Sequence, residues 1–452
     1  MPRPRERHLL ASLFLLVALA DCSETSVPVD EEPSTAIVSP ITPTRPTLPG
    51  PTEASDPDSD DPLMPVPADN SPEEDPSNQQ NPGTEPPEPT NDTTLPPLNE
   101  RVLLLVDTAD HAALETSLET YRQDVLSRYP AVELTLRHDG DFLRHTAAQL
   151  RDVLLEEYRE PGLRGVILVG AFPFRLWEQG PLDQRQTGLN PLYYEDLDGF
   201  WKDVDGNGID DFHGEGPSEG PELFVAWLPA PASTRIEALT AFFAKTHDYA
   251  TGQLAFRKRG LLAATAAAPT SVLDDYRAAL TALYGSSLDL LTATSAVTLT
   301  TYQEGLAKRY ESAVLHPDDD TLAYLRHDLG DSNLYATALR SLDGGSIVTI
   351  LAGGLAGGLH KTTTTTVAAS YLFGTSITQA VLASTLPTPL VGGVQVLEEL
   401  GTGTYLGQAW QETFSDFLRQ DNLLRRYGAD FDRTTWLPGS ILLGDPFTTL
   451  QR

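Results

Sequence analysis

Arg101-Val-Leu-Leu-Leu-Val-Asp107 is an unbroken apolar run closed by an acid, the length and composition of a strand buried on both faces. Helical spacing follows at once, through Ala112, Leu114, Leu118, Tyr121 and Val125. A second strand over Val132–Leu136, a helix around Leu150–Tyr158 and a third strand, Gly165-Val-Ile-Leu-Val-Gly170, continue the alternation. Strands separated by helices of this length need crossovers, so the pattern predicts a parallel βαβαβ winding. An acidic segment then interrupts it. Glu222-Leu-Phe-Val-Ala226 reads as the next strand and Thr234–Tyr249 as the next helix, which places a first subdomain at residues 100–252.

A second winding opens on Gly260-Leu-Leu-Ala-Ala264. Helix Ser271–Tyr284, strand Leu288–Leu291, helix Tyr302–Tyr310 and strands Ala313–Leu315, Ile347–Leu351 and Val381–Ser384 follow in order. An amphipathic helix over Leu406–Phe417 and the segment Trp436–Pro446 close a second subdomain, residues 253–452. The fold class expected is therefore α/β, with two linked parallel-sheet subdomains.

Residues 1–21 carry Arg3, Arg5 and Arg7, an apolar stretch from Leu9 to Ala20 and then Cys22, the one cysteine of the 452 residues. This is the pattern of an export signal. Ala18-Leu19-Ala20 suits cleavage to a soluble protein, whereas Leu19-Ala20-Asp21-Cys22 suits lipidation of Cys22; a lone cysteine at that point favours the lipid anchor, a cell-envelope location and a membrane as partner. Residues 22–99 are rich in Pro, Asp, Glu, Ser and Thr, too poor in apolar side chains to offset chain entropy, and read as a disordered tether. Eighteen acids against Arg45 leave about −17 on residues 21–100 and, of the total −33, about −18 on the globular part. Such a charge excludes nucleic acid as the expected partner.

In Leu192–Asp211 oxygen-bearing side chains recur at alternate positions around glycines. Asp203, Asp205, Asn207 and Asp211, with the backbone carbonyl of Ile209, have the spacing of a calcium loop, and Asp198 or Asp196 from the preceding turn would complete the shell. The bidentate Glu of an EF-hand is missing: Gly214 holds its place and Glu215 follows. A plain solvated turn is the alternative. His213 beside the loop is expected to be solvated, since an oxygen-rich site seldom recruits imidazole, and His247 to be a packing or capping residue on its helix.

Taken in order, GVILVG, YYEDLDGFWKDVDGNGIDD, PELFVAWL, the helix ending Lys245–Tyr249, and then YLFGTS, AVLAST, GTYLGQAW and SILLGDP resemble the gingipain-like (C25-type) branch of the caspase-fold cysteine peptidases. The resemblance implies a His at one strand end and a nucleophilic Cys at the next. His316 matches the first position, with His327 as the alternative. The second falls at Gly353, in Ala352-Gly-Gly-Leu-Ala-Gly-Gly358, where no thiol is present. Trp227 stands where the related strand commonly carries Arg. The resemblance thus implies the fold, while the residues argue against the peptidase reaction. What is expected is a calcium-binding, surface-displayed module for a peptide or protein ligand. The alternatives are a hydrolase using His360 with Thr362–Thr366, a phosphate loop through Gly353–Gly358 and Lys361, a structural envelope protein, and a flexible Gly/Thr connection left where a catalytic loop decayed.

Overall fold

A computed structural model of the chain describes residues 100–180, 185–214, 216, 220–265, 268–292, 297–317, 325–329, 333–340, 342–361, 366–387, 390–426 and 437–451. Strand β1 (Glu100–Val106) lies between β2 (Val132–Arg137) and β3 (Leu163–Val169), parallel to both. Helices α1 (Thr108–Arg128) and α2 (Ala147–Tyr158) make the crossovers. Each starts where the sequence supplies a cap: Asp107 accepts the Ala109 N–H, and Thr146 with Gln149 forms a reciprocal capping box.

After β3 the chain leaves the sheet for two hairpins, β4 (Leu176–Gln179) with β5 (Gln186–Leu189) and β6 (Phe200–Lys202) with β7 (Phe212–Gly214). The one-turn helix α3 (Leu192–Glu195) joins them. The chain returns as β8 (Phe224–Leu228), parallel to β3, and continues into α4 (Arg235–Ala250).

The second winding repeats the first. β9 (Arg257–Ala264) is flanked by β10 (Leu288–Leu291) and β11 (Tyr310–His316), all parallel, with α5 (Thr270–Tyr284) and α6 (Leu299–Leu306) as crossovers. The helix expected to reach Tyr310 stops at Leu306: Arg309 takes φ 59° and Tyr310 already belongs to β11. A small hairpin, β12 (Arg326–Asp328) with β13 (Asn333–Tyr335), and α7 (Ala336–Leu339) precede β14 (Ser346–Leu351). Then come α8 (Val367–Gly374), β15 (Ala380–Ser384), α9 (Gly393–Gly401) and α10 (Leu406–Arg426).

The last strand, β16 (Ser440–Gly444), is antiparallel to β15 and parallel to β8. It joins both windings in one ten-stranded sheet of order β10-β9-β11-β14-β15-β16-β8-β3-β1-β2. The change of direction at β16 puts the carboxyl ends of the two windings on opposite edges of the sheet. Strands β8, β11, β14, β15 and β16 are buried along their whole length, which is why they read as continuous apolar runs. Behind β16, buried Asp445 accepts bonds from the Tyr121 hydroxyl at 2.6 Å and the Phe447 N–H at 3.0 Å, with Arg128 at 3.7 Å. Among the described residues, no helix is long and apolar enough to cross a membrane.

Candidate functional site

His316 ends β11, and the neighbouring β14 ends at Leu351, opposite Leu315. The Ala352 N–H donates to the Leu315 carbonyl at 2.8 Å. The end of β11 that carries His316 and the end of β14 that leads into Gly353 therefore lie side by side at the carboxyl edge of the second winding. His316 is 3 % exposed; its carbonyl accepts the Thr265 N–H, and its Nδ1 faces the Pro317 carbonyl at 3.2 Å. His327 lies instead in β12, opposite Leu334 and fully buried. Neither of its ring nitrogens has a hydrogen-bond partner, and burial pushes its pKa down to about 3.

Gly353 has no space for a side chain. A Cβ there would lie 2.8 and 2.9 Å from Cδ and Cγ of Pro317, closer than real Cβ contacts. The stretch from Ala352 to Gly358 is buried throughout. Its amides are spent inside the fold, Leu355 on the Leu386 carbonyl at 2.7 Å, Gly357 on Ser384 at 2.8 Å and Gly358 on Leu355 at 2.9 Å. The expected flexible connection is thus a packed plug over its described part, and these amides are not presented to a phosphate. Thr362–Thr365 lie outside the described residues. His360, their expected base, is bonded through Nε2 to the Thr187 carbonyl of β5 at 3.1 Å, and burial lowers its pKa to about 4.

The β4–β5 hairpin crosses to this same edge. The Leu189 carbonyl accepts from the Thr385 hydroxyl at 2.9 Å, and Gly188 packs so close to Leu386 that a Cβ would sit at 2.7 Å. The excursion from the first winding thereby roofs the strand ends of the second. Trp227 is buried in β8, 3 % exposed, and its ring packs on Tyr194.

The acidic loop spans the β6–β7 hairpin. The Asp203 carboxylate accepts the N–H groups of Gly206, Asn207 and Gly208 at 2.7, 3.1 and 2.6 Å, which hold its pKa below the usual carboxylate range. Gly206 and Gly208 take φ of 79° and 91°, conformations that favour glycine. Asn207 accepts from the Ile209 N–H, and Asp211 from the Val204 N–H. Asp205 and Asp211 converge with Glu178 of β4, one oxygen of each lying within 4.8 Å of the others. The Arg185 guanidinium sits among them, bonded to Glu178, 2.7 Å from Asp205 and 3.3 Å from Asp211. Asp203 and Asn207 shape the loop, whereas Asp198 gathers with Asp196 and Glu222 in a second cluster. The sequence reading missed Glu178 and Arg185, which come from the preceding hairpin; no local spacing links them to the loop.

The expectation of a solvated His213 is corrected. Its side chain is 2 % exposed, its Nε2 lies 2.6 Å from Asp196 Oδ2, and its ring stacks on Trp201 with centroids 4.2 Å apart. Alternation along β7 turns it inward. His247, on α4, bonds to Asp124 of α1 at 2.9 Å with its side chain 40 % exposed, a polar pair between helices where packing or capping was expected.

No family model matches the chain, and no curated protein matches it. Three solved structures share the fold. The Arg-specific cysteine proteinase gingipain R (RGPB) superposes with a TM-score of 0.54 at 14 % identity, over 78 % of each chain. The complex of Porphyromonas gingivalis RgpB pro- and mature domains gives the same score and identity over 78 % of this chain and 80 % of that one. A structure described only as a protease matches at 0.54 and 13 % identity, over 78 % and 79 %. The chain has a gingipain-like α/β fold, and its one cysteine, Cys22, precedes in sequence the residues that form the sheet.

Proposed function

We propose that this protein uses a peptidase fold without peptidase chemistry, as a binding module displayed at the cell envelope. One observation carries the reading: at the strand end beside His316, where the resemblance would put a nucleophile, stands Gly353, and Pro317 fills the space a side chain would need. An imidazole with no thiol to activate cannot generate the attacking thiolate. The test is incubation of the intact protein with a broad peptide library, with and without calcium. The expected result is no cleavage; cleavage abolished by His316→Ala would promote the hydrolase alternative.

Calcium belongs to the same reading. Glu178, Asp205 and Asp211 present hard oxygen donors to one point, while Asp203 and Asn207 hold the loop in shape and the Ile209 carbonyl is the remaining donor in register. Arg185 is the group the ion would displace. Display rests on Cys22: a diacylated cysteine at the head of an extended, like-charged tether would hold the domain away from the bilayer. Cys22→Ala is expected to release the protein from the detergent phase, and a mature N-terminus at Asp21 would overturn the anchor.

A further inference from the structure

The sheet ends on β2, which among the described residues is bonded to β1 alone. A strand in that position offers outward N–H and C=O groups to any extended chain laid beside it. Against its carboxyl half, Thr135 to Arg137, opens a cavity of about 490 Å³, continued by His138 and Asp139 and walled by Glu156, Glu157 and Glu160 of α2 and its end. The Thr135 hydroxyl is buried there with no hydrogen-bond partner.

The charge of the cavity is unbalanced. Glu157 is matched by two arginines, Arg101 at 2.7 Å and Arg137 at 2.8 Å. Asp139 and Glu156 share that same Arg137 at 3.2 and 3.8 Å and remain 74 % and 70 % exposed. Glu160 is exposed as well, as is Glu133 on β2 itself. Acids therefore outnumber the bases facing the cavity.

We infer that the β2 edge is a docking site for an extended basic segment of another protein, which adds a strand to the sheet and places a Lys or Arg side chain in the acidic cavity. Alternate residues of an added strand point to one face, so one or two basic positions would reach Glu156 and Glu160 while the backbone pairs with β2. Residues 21–100, at about −17, lack the positive charge that would complement this edge. A second copy paired edge to edge would set Glu133, Glu156 and Glu160 against their equivalents. Charge complementarity selects a basic partner.

The probe is a fluorescein-labelled decapeptide of alternating Lys and Val, with a Glu/Val peptide as control, titrated into the intact protein and read by anisotropy and amide hydrogen exchange. The Lys peptide is expected to bind and to slow exchange within 132–137, and Glu156→Lys with Glu160→Lys to weaken it about tenfold. Asp274→Lys with Asp416→Lys makes the same change of net charge on distant exposed helices and is expected to leave affinity within about twofold. Four outcomes would overturn the inference: equal loss in both double variants, protection elsewhere with β2 unprotected, equal binding of the Glu peptide, or no binding of the Lys peptide at low salt.

Discussion

Pro317, the residue after His316, reaches across to the end of the neighbouring strand and stands 2.8 Å from where a Cβ on Gly353 would be. His316 and the residue that closes the space at Gly353 are thus consecutive residues at one strand end. A side chain at residue 353 needs Pro317 to move.

Gly353→Cys on a Cys22→Ala background is therefore expected to lose about 1 to 3 kcal/mol through overpacking and to resist alkylation by iodoacetamide. Adding Pro317→Gly should restore much of the stability and expose the thiol. Thermal melts and mass-spectrometric labelling read both effects. Fast alkylation of the single variant would show that the strand end is open.

Calcium binding only to the folded loop stabilises it by mass action, about 2.7 kcal/mol at a hundredfold excess over the dissociation constant. The melting temperature should rise by a few degrees with calcium, and not at all in Asp205→Ala or Glu178→Gln. Arg185→Gln strips Glu178, Asp205 and Asp211 of their guanidinium, so without calcium it should melt lower and with calcium gain more than wild type. A melting curve indifferent to calcium in every variant removes the ion from the site.

Glu195 is 1 % exposed, accepts the Trp410 indole N–H at 3.1 Å, and has its pKa raised by burial to about 8. A carboxyl whose folded pKa lies above its unfolded value stabilises fully below about pH 4.5 and loses that contribution as pH rises toward 8, at up to ~1.4 kcal/mol per unit. Glu195→Gln keeps the acceptor without the charge. It should be more stable than wild type at pH 7 to 8 and no more stable at pH 4, as denaturant titrations at the two pH values would register. An equal difference at both would place the effect in packing alone.

Asp445 links the final strand to α1 through Tyr121 and Arg128. Asp445→Ala leaves the buried Tyr121 hydroxyl without its acceptor, while Arg128, 20 % exposed, keeps the Phe447 carbonyl at 3.5 Å; it should cost about 1 to 3 kcal/mol, against about 1 kcal/mol for Tyr121→Phe. Because β16 is bonded to both β15 and β8, unfolding should stay a single transition in the milder variant. Separate transitions for the two windings would mean that β16 does not couple them.

Both windings were legible because their central strands are buried on both faces and announce themselves as apolar runs, and because caps such as Asp107 and Thr146 act on amides two or three residues away. The short hairpins β4–β5 and β12–β13 were not, since three or four residues per strand carry too little periodicity to register. Within the candidate site, the places of His316 and Gly353 at the ends of neighbouring strands were legible from such runs. Asp203, expected as a calcium ligand, instead accepts the N–H groups of Gly206, Asn207 and Gly208.

By itself the sequence determined whatever depends on neighbours along the chain: the order of the main strands and helices in the two windings, the oxygen-rich segment around Gly206 and Gly208, and the absence of a thiol beyond Cys22. Only the tertiary structure decided that β16 joins two windings of opposite direction, that Glu178 and Arg185 complete the cluster of Asp205 and Asp211, that His213 turns inward onto Asp196, and that Pro317 closes Gly353. Those pairings bring together side chains from different elements. Their distances follow from how sheet and helices pack in three dimensions, a quantity that no spacing along the chain encodes.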